Sequence, residues 1–141
     1  MARKPDRLSI DEDDKALYDE IAQDVFLGRQ NKDRFLFAMA FGFWRGADRE
    51  IDKREGFVRA EYLTPQDKAL IDALAVAEAQ SAAVLANRER VYEIAERYAH
   101  GGILLLHDHV QSTQFGSFYK GFERDMFDLI GSSYCQLKDT R

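Results

Sequence analysis

Three histidines are the first residues whose type suggests chemistry, because imidazole is a common metal ligand: His100, His107 and His109. His107 and His109 are separated by one residue, so on a helix they would point about 200° apart and could not share one metal ion. His100 and His107 lie two turns apart and would need ligands from another element. The pattern favours surface histidines near a helix end, and no metal or cofactor is expected.

Other reactive residue types occur without the spacing that catalysis needs. Cys135 is the only cysteine, so an internal disulfide cannot form and a reducing cytoplasm is the expected location. Gly101-Gly102 lacks the preceding strand and the following Lys-Ser/Thr of a phosphate loop. We therefore predict no catalytic residues and no enzymatic activity, with a small metal-dependent enzyme built on the three histidines as an open alternative.

A short alternation near the N-terminus points to nucleic acid instead. Arg7-Leu8-Ser9-Ile10 alternates polar and apolar residues, as a short strand or extended arm does. A strand followed by two helices is the order found in ribbon-helix-helix proteins, whose paired strands enter the DNA major groove. In that arrangement Arg7 and Ser9 would face the bases of double-stranded DNA, while Leu8 and Ile10 would face the core.

The start of the second predicted helix adds three candidate phosphate contacts. Asn31 begins that helix, whose N-terminal N–H groups attract anions, and Lys32 and Arg34 follow closely. The acidic residues of the first helix would repel phosphates unless they are turned away. The predicted nucleic-acid-binding residues are Arg7, Ser9, Asn31, Lys32 and Arg34.

Two further groups of residues have a structural interpretation that is favoured over a binding one. Five basic residues follow the second helix, but acidic residues interrupt them, which is typical of a solvated loop: Arg45, Arg49, Lys53, Arg54 and Arg59. Six aromatic residues near the C-terminus could stack on bases, but their helical spacing favours a core or an oligomer face: Phe115, Phe118, Tyr119, Phe122, Phe127 and Tyr134.

The elements that must position these residues are predicted to be mainly helices. The chain has 141 residues, two prolines and a net charge of −5, which suits one globular domain and argues against a wholly basic nucleic-acid binder. Residues 35–44 form an apolar run that would span only about 15 Å as a helix, half of a bilayer core, so no membrane contact is expected. This run predicts a central buried helix.

Local signals place five helices. The first starts at about Asp11, where Ser9 and Glu12 have capping-box spacing. The second is capped by Asn31, and the row of Ala38, Gly42 and Gly46 would let another helix, or a copy in a homodimer, pack closely. Thr64-Pro65 starts the third helix, which reaches about Gln80. The fourth begins near Asn87 and kinks at Gly101-Gly102, and the fifth covers residues 117–130.

The predicted fold class is all-α, a single domain over residues 1–141 with about five helices. Residues 1–10 form an N-terminal extended arm or strand, and residues 47–63 form a charged loop with an extended piece at residues 57–63. The abundance of phenylalanine suggests more apolar surface than one small monomer buries, so we expect a homodimer.

Three segments of the chain resemble small helical proteins encoded beside bacterial DNA phosphorothioation (Dnd) genes. They are KDRFLFAMAFGFWRG, EYLTPQDKALIDALAVAEA and ERVYEIAERYAHGGILLL, which are helix-packing patterns and contain no catalytic motif. The resemblance implies a non-enzymatic accessory protein of a DNA-modification or phage-defence cluster, which acts on DNA or on a larger partner complex. The alternative is a protein–protein adaptor of such a defence complex that does not contact DNA.

Overall fold

A computed structural model describes residues 6–22 and 28–112. The described residues form two strands, β1 (Arg7–Asp11) and β2 (Arg54–Arg59), and four α-helices. The helices are α1 (Asp14–Ile21), α2 (Asn31–Arg45), α3 (Pro65–Ala79) and α4 (Arg88–Ser112), with short 3-10 turns at Ala60–Tyr62 and Ala82–Ala86. The chain divides into two compact units, Met1–His107 and Asp108–Arg141, and the packing described below belongs to the first.

The fold is mostly helical, as predicted, but it also contains a small sheet. The N-terminal strand pairs antiparallel with β2, which starts three residues earlier than the predicted extended piece at residues 57–63. Leu8 lies opposite Val58 in this pairing, and both side chains are buried. The described residues contain four of the five predicted helices, and the predicted helix over residues 117–130 lies outside them.

The first helix begins later than the capping-box spacing predicts. Ser9 is a residue of β1, and the strand continues to Asp11 before α1 starts at Asp14. Asp11 makes this possible, because its carboxylate accepts the N–H of Asp13 at 3.1 Å and the N–H of Asp52 at 3.0 Å. One buried carboxylate therefore holds both the turn into α1 and the chain that leads to β2.

Helices α2 and α4 cross at the row of small residues in α2. A Cβ added to Gly42 would lie 2.0 Å from the carbonyl oxygen of Tyr98, and one added to Gly102 would lie 1.8 Å from that of Ala38. The row at Ala38 and Gly42 thus receives another helix of the same chain, as predicted. Gly46 has another role, since its φ of 67° ends α2 in the left-handed conformation.

The fourth helix does not stop and resume at Gly101-Gly102, as the predicted kink implied. Helix α4 runs without interruption from Arg88 to Ser112. A Cβ on Gly101 would lie 1.8 Å from the carbonyl oxygen of Ala47, so this glycine also allows a close backbone approach. Glycine is needed here for space between backbones, and packing against α2 outweighs its low helix propensity.

The start of α3 follows its sequence signal closely. Thr64 accepts the N–H of Asp67 at 3.1 Å, and the Asp67 carboxylate accepts the N–H of Thr64 at 2.9 Å, which completes a capping box with Pro65 in the first turn. The start of α2 differs from its prediction, because Asn31 is the first helical residue and Gln30 holds the cap position without a side-chain hydrogen bond.

Gly102→Ala tests the helix crossing. The added methyl group meets backbone that cannot move aside, so we expect the free energy of unfolding to fall by roughly 1–3 kcal/mol or more in urea denaturation. No separate control variant is needed, because the two explanations predict changes of opposite sign. If α4 were held by helix propensity alone, the same substitution would stabilise the protein by up to about 1 kcal/mol.

Candidate nucleic-acid interface

Two arginines lie side by side at the outer end of the sheet. Arg7 is directly opposite Arg59 in the antiparallel register, so their side chains share one face. Their side chains are 54% and 64% exposed, and each has one acidic neighbour: Asp6 is 3.6 Å from Arg7, and Glu61 is 3.4 Å from Arg59. Like charges in directly opposite positions destabilise a strand pair, and a bound anion would relieve that repulsion.

A groove of about 270 Å³ adjoins this arginine pair, between the end of β2 and the start of α2. It combines one guanidinium group, one ammonium group, two side-chain amides and two aromatic rings. The lining residues are Gln30, Asn31, Lys32, Phe57, Val58, Arg59 and Tyr62. We refer to it below as the α2 groove.

The start of α2 contributes electrostatically to the groove. Gln30 is extended and its side chain does not cap the helix, while its carbonyl accepts the N–H of Arg34 at 3.1 Å. The N–H groups of the first turn have no acceptor within an α-helix, and they form the positive end of the helix dipole. Asp33 in the same turn offsets part of that positive potential.

Lys32 connects the α2 groove to α3. Its ammonium group lies 2.9 Å from the carboxylate of Asp67, and both side chains are mostly buried. Burial alone would raise the pKa of Asp67, but the bonds from Lys32 and Thr64 lower the pKa below its usual value. Lys32 is therefore already paired with a charged carboxylate, so Arg59 is the more available cation in the groove.

The structure brings together three of the five predicted contact residues. Asn31 and Lys32 line the α2 groove, and Arg7 lies opposite the groove residue Arg59. The partly buried Arg34 does not line the groove, and its Nε has no hydrogen-bond partner among the residues that the structure describes.

Ser9 occupies a different environment from the predicted one. The expectation that it shares an exposed strand face with Arg7 is wrong, because Ser9 is buried and its N–H donates to the Glu96 carboxylate. The strand pairs with β2 of the same chain, whereas ribbon-helix-helix proteins pair strands from two chains. A bulge between Leu8 and Ser9 accompanies this change of environment.

Arg59, Gln30 and Tyr62 are groove residues that the sequence did not assign to a site. Arg59 was grouped with the solvated basic loop because acidic residues surround it in the sequence. Its contribution depends on the pairing of β2 with β1, which the alternation of residues 7–10 alone does not reveal. Only the structure shows that the Tyr62 side chain is 63% exposed on a one-turn 3-10 helix beside the groove.

Glu96 on α4 joins the helical layer to the sheet. Its side chain is 1% exposed and accepts hydrogen bonds from the Ser9 N–H and from the Arg54 guanidinium group. Burial raises the pKa of Glu96 above its usual value, and these two donors oppose that rise. A buried carboxylate thus holds both strands, one through backbone and one through an ion pair.

Two histidines of α4 pair with carboxylates of α1. His100 Nδ1 lies 2.6 Å from Asp14, and His107 Nε2 lies 2.5 Å from Glu20. The bond to Asp14 raises the pKa of His100 against the effect of burial, while burial raises the pKa of Asp14. His100 is thus mostly buried in an ion pair, in contrast to the surface location predicted. Within residues 6–22 and 28–112, no group of three or more His, Cys, Asp and Glu side chains is arranged to hold a metal ion.

The chain is similar to a known protein family. A family model described as DNA sulphur modification system-associated protein 4 matches residues 7–117, which is well over half of the chain. No curated protein and no solved structure matches the chain. Among the described residues, no helix is both long and apolar enough to cross a membrane.

Asp14→Asn tests the pairing of α1 with α4. The folded-state pKa of His100 is raised, so its stabilising contribution is fully present below about pH 6.5 and is lost as the pH rises through the raised pKa. Without the Asp14 carboxylate, we expect an NMR titration to show a lower pKa for His100. The loss of stability as the pH rises from about 6.5 through the raised pKa should also disappear. Asp13→Asn, an exposed neighbour, is the matched control. An unchanged pKa in the Asp14 variant would contradict this assignment.

Proposed function

The chain belongs to the family of DNA sulphur modification system-associated protein 4, and from this premise we propose that it is a non-enzymatic accessory protein that contacts DNA. In this proposal the protein brings no chemistry of its own to the modification system. It binds the phosphate backbone locally and places DNA, or a partner bound to DNA, where the system needs it. The cytoplasm is the proposed location, supported by the single cysteine.

The observation that carries the proposal is the Arg7–Arg59 pair. Both arginines are exposed on one face of the sheet, and arginine binds phosphate oxygens through paired hydrogen bonds. The start of α2, with Asn31 as its first residue, places the positive end of a helix dipole next to the pair, while Lys32 is paired with Asp67. The net charge of −5 limits DNA contact to this local surface, because the rest of the protein repels the polyanion.

The ionisable residues inside the protein support the non-enzymatic part of the proposal. Glu96 is bonded to Ser9 and Arg54, and His100 is bonded to Asp14. Each of these groups is engaged with a protein partner that holds two elements together. Their arrangement suits a structural role, with both charges of each ion pair used within the fold.

Binding to a labelled random-sequence duplex over a salt series tests the proposal. We expect the logarithm of the association constant to fall linearly with the logarithm of salt concentration, by about 0.9 per neutralised phosphate. Arg7→Gln and Arg59→Gln should each weaken binding and reduce that slope by about 1. Arg90→Gln removes an equal charge on α4, away from the groove, and should leave the slope unchanged.

Two results would contradict the proposal. The first is the absence of binding to both duplex and single-stranded DNA at low salt by protein that is folded. The second is an equal loss of affinity in the Arg90 variant and in the two sheet variants, which would show that only the overall charge matters.

A second candidate function is a protein–protein adaptor, and the outward face of α3 favours it. Leu70 is 44% exposed there, and a row of exposed alanines continues its face: Ala69, Ala73 and Ala77. An uncharged row of this kind allows another helix to approach closely. A second copy of the chain can pack on the same face. The predicted homodimer is therefore assigned to α3, because α4 of the same chain already packs against Gly42, where a second copy was the alternative.

Leu70→Glu tests this candidate. A buried carboxylate without a partner is costly, so the variant should lose its complex with a protein encoded in the same modification cluster, measured by co-purification after co-expression. Light scattering distinguishes such a complex from a homodimer by molar mass. Loss of duplex binding in this variant without any change in molar mass would contradict the adaptor role.

A further inference from the structure

The hydroxyl group of Tyr62 is a hydrogen-bond donor, but the face of its ring is a feature of the α2 groove that binding to a duplex backbone does not use. Tyr62 is 63% exposed, more than Phe43 or Leu70, which are the two other exposed large hydrophobic side chains within residues 6–22 and 28–112. A phosphate oxygen requires hydrogen-bond donors and positive charge, and an aromatic ring offers neither on its face. The ring must therefore serve another part of a ligand, or none.

The groups around the Tyr62 ring in the α2 groove match the other parts of a nucleotide. Arg59 is the exposed cation, and the side-chain amides of Gln30 and Asn31 are donors and acceptors of the kind that pair with base edges. The volume of about 270 Å³ is below the roughly 300–1,000 Å³ of a pocket for a drug-sized ligand. The groove therefore has room for about one nucleotide of a longer ligand.

We propose that the α2 groove holds one unstacked nucleotide of a DNA strand, with its base on Tyr62 and its phosphate at Arg59. The inference rests on the proposed DNA contact and specifies the form of DNA that the site takes. The two faces of a base inside a duplex are covered by its neighbours, so an exposed ring can stack only on a base that has left the helix. The site therefore prefers a single strand, or a duplex with an extruded base, over a fully paired duplex.

Phe57 lines the groove and packs against α1. Its ring centroid lies 4.9 Å from that of the buried Tyr18, which fixes the middle of β2 against α1. Val58, the next residue, is buried in the core. Arg59 and Tyr62 are the exposed members of the groove next to this fixed segment, so they can be replaced without opening the core.

The test compares a short labelled single strand of mixed sequence with the same sequence as a duplex, at equal salt. We expect the single strand to bind more tightly. Tyr62→Ser should weaken its binding roughly tenfold, the scale of one base stacked on an aromatic ring, and leave duplex binding unchanged. Tyr62→Phe keeps the ring and should retain single-strand affinity within about twofold.

A titration with deoxyadenosine monophosphate, followed by NMR, gives a readout that does not depend on strand affinity. The backbone amide signals of Asn31, Lys32 and Arg59 should shift in the wild type and shift less in the Tyr62→Ser variant. Unchanged amide signals in the wild type would overturn the inference.

The outcomes separate the two proposals. Salt-dependent duplex binding with equal single-strand affinity, unaffected by Tyr62→Ser, would overturn the nucleotide site and leave the proposed DNA contact standing. Equal losses in the Ser and Phe variants would also overturn it, because stacking depends on the ring and not on the hydroxyl group. No binding to either form of DNA would overturn both proposals.

Discussion

The close backbone contact between α2 and α4 is the constraint on which the rest of the structure depends. Gly42 and Gly102 leave no room for a side chain between the two helices, so the helices can cross only at this point. The crossing fixes α4 in its position along α2. Glu96, nearly two turns before Gly102 on α4, then faces the strands and holds both of them. The position of the sheet is thus determined by a contact between helices.

In addition to the glycine crossing, interactions of charged groups hold the elements in place. Asp11 holds the turn after β1, and His100 pairs with Asp14 at the start of α1. Removing one partner from such a buried pair leaves an uncompensated charge, which is far more costly than the pair is stabilising. These interactions specify the arrangement of elements more than they add to its stability. The N-terminal strand therefore has one register against β2, and Arg7 meets Arg59 because of it.

The features that the sequence predicts best are those that depend only on residues close together in the chain. Thr64, Pro65 and Asp67 form a cap within four residues, and the predicted start of α3 is confirmed. The row of Ala38 and Gly42 also predicts a close helix neighbour correctly, because small residues four apart share one helix face. Contacts between residues distant in the chain are not predictable in this way. Gly101-Gly102 gives the same local signal whether it breaks a helix or admits another backbone, and only the position of α2 decides between the two.

The residues of the candidate site also divide into those that a local sequence signal identifies and those that only distant contacts bring to the site. Asn31 and Lys32 could be identified because the start of a helix has recognisable chemistry wherever the helix lies. Arg59 could not, since the acidic residues around it in the sequence neutralise its apparent charge. In three dimensions it stands opposite Arg7, and Asp6 and Glu61 each lie within 4 Å of one of these two arginines. Strand pairing therefore decides which charges are neighbours at this end of the sheet. The local field at the sheet end, and not the net charge, is what a phosphate approaching the α2 groove would experience.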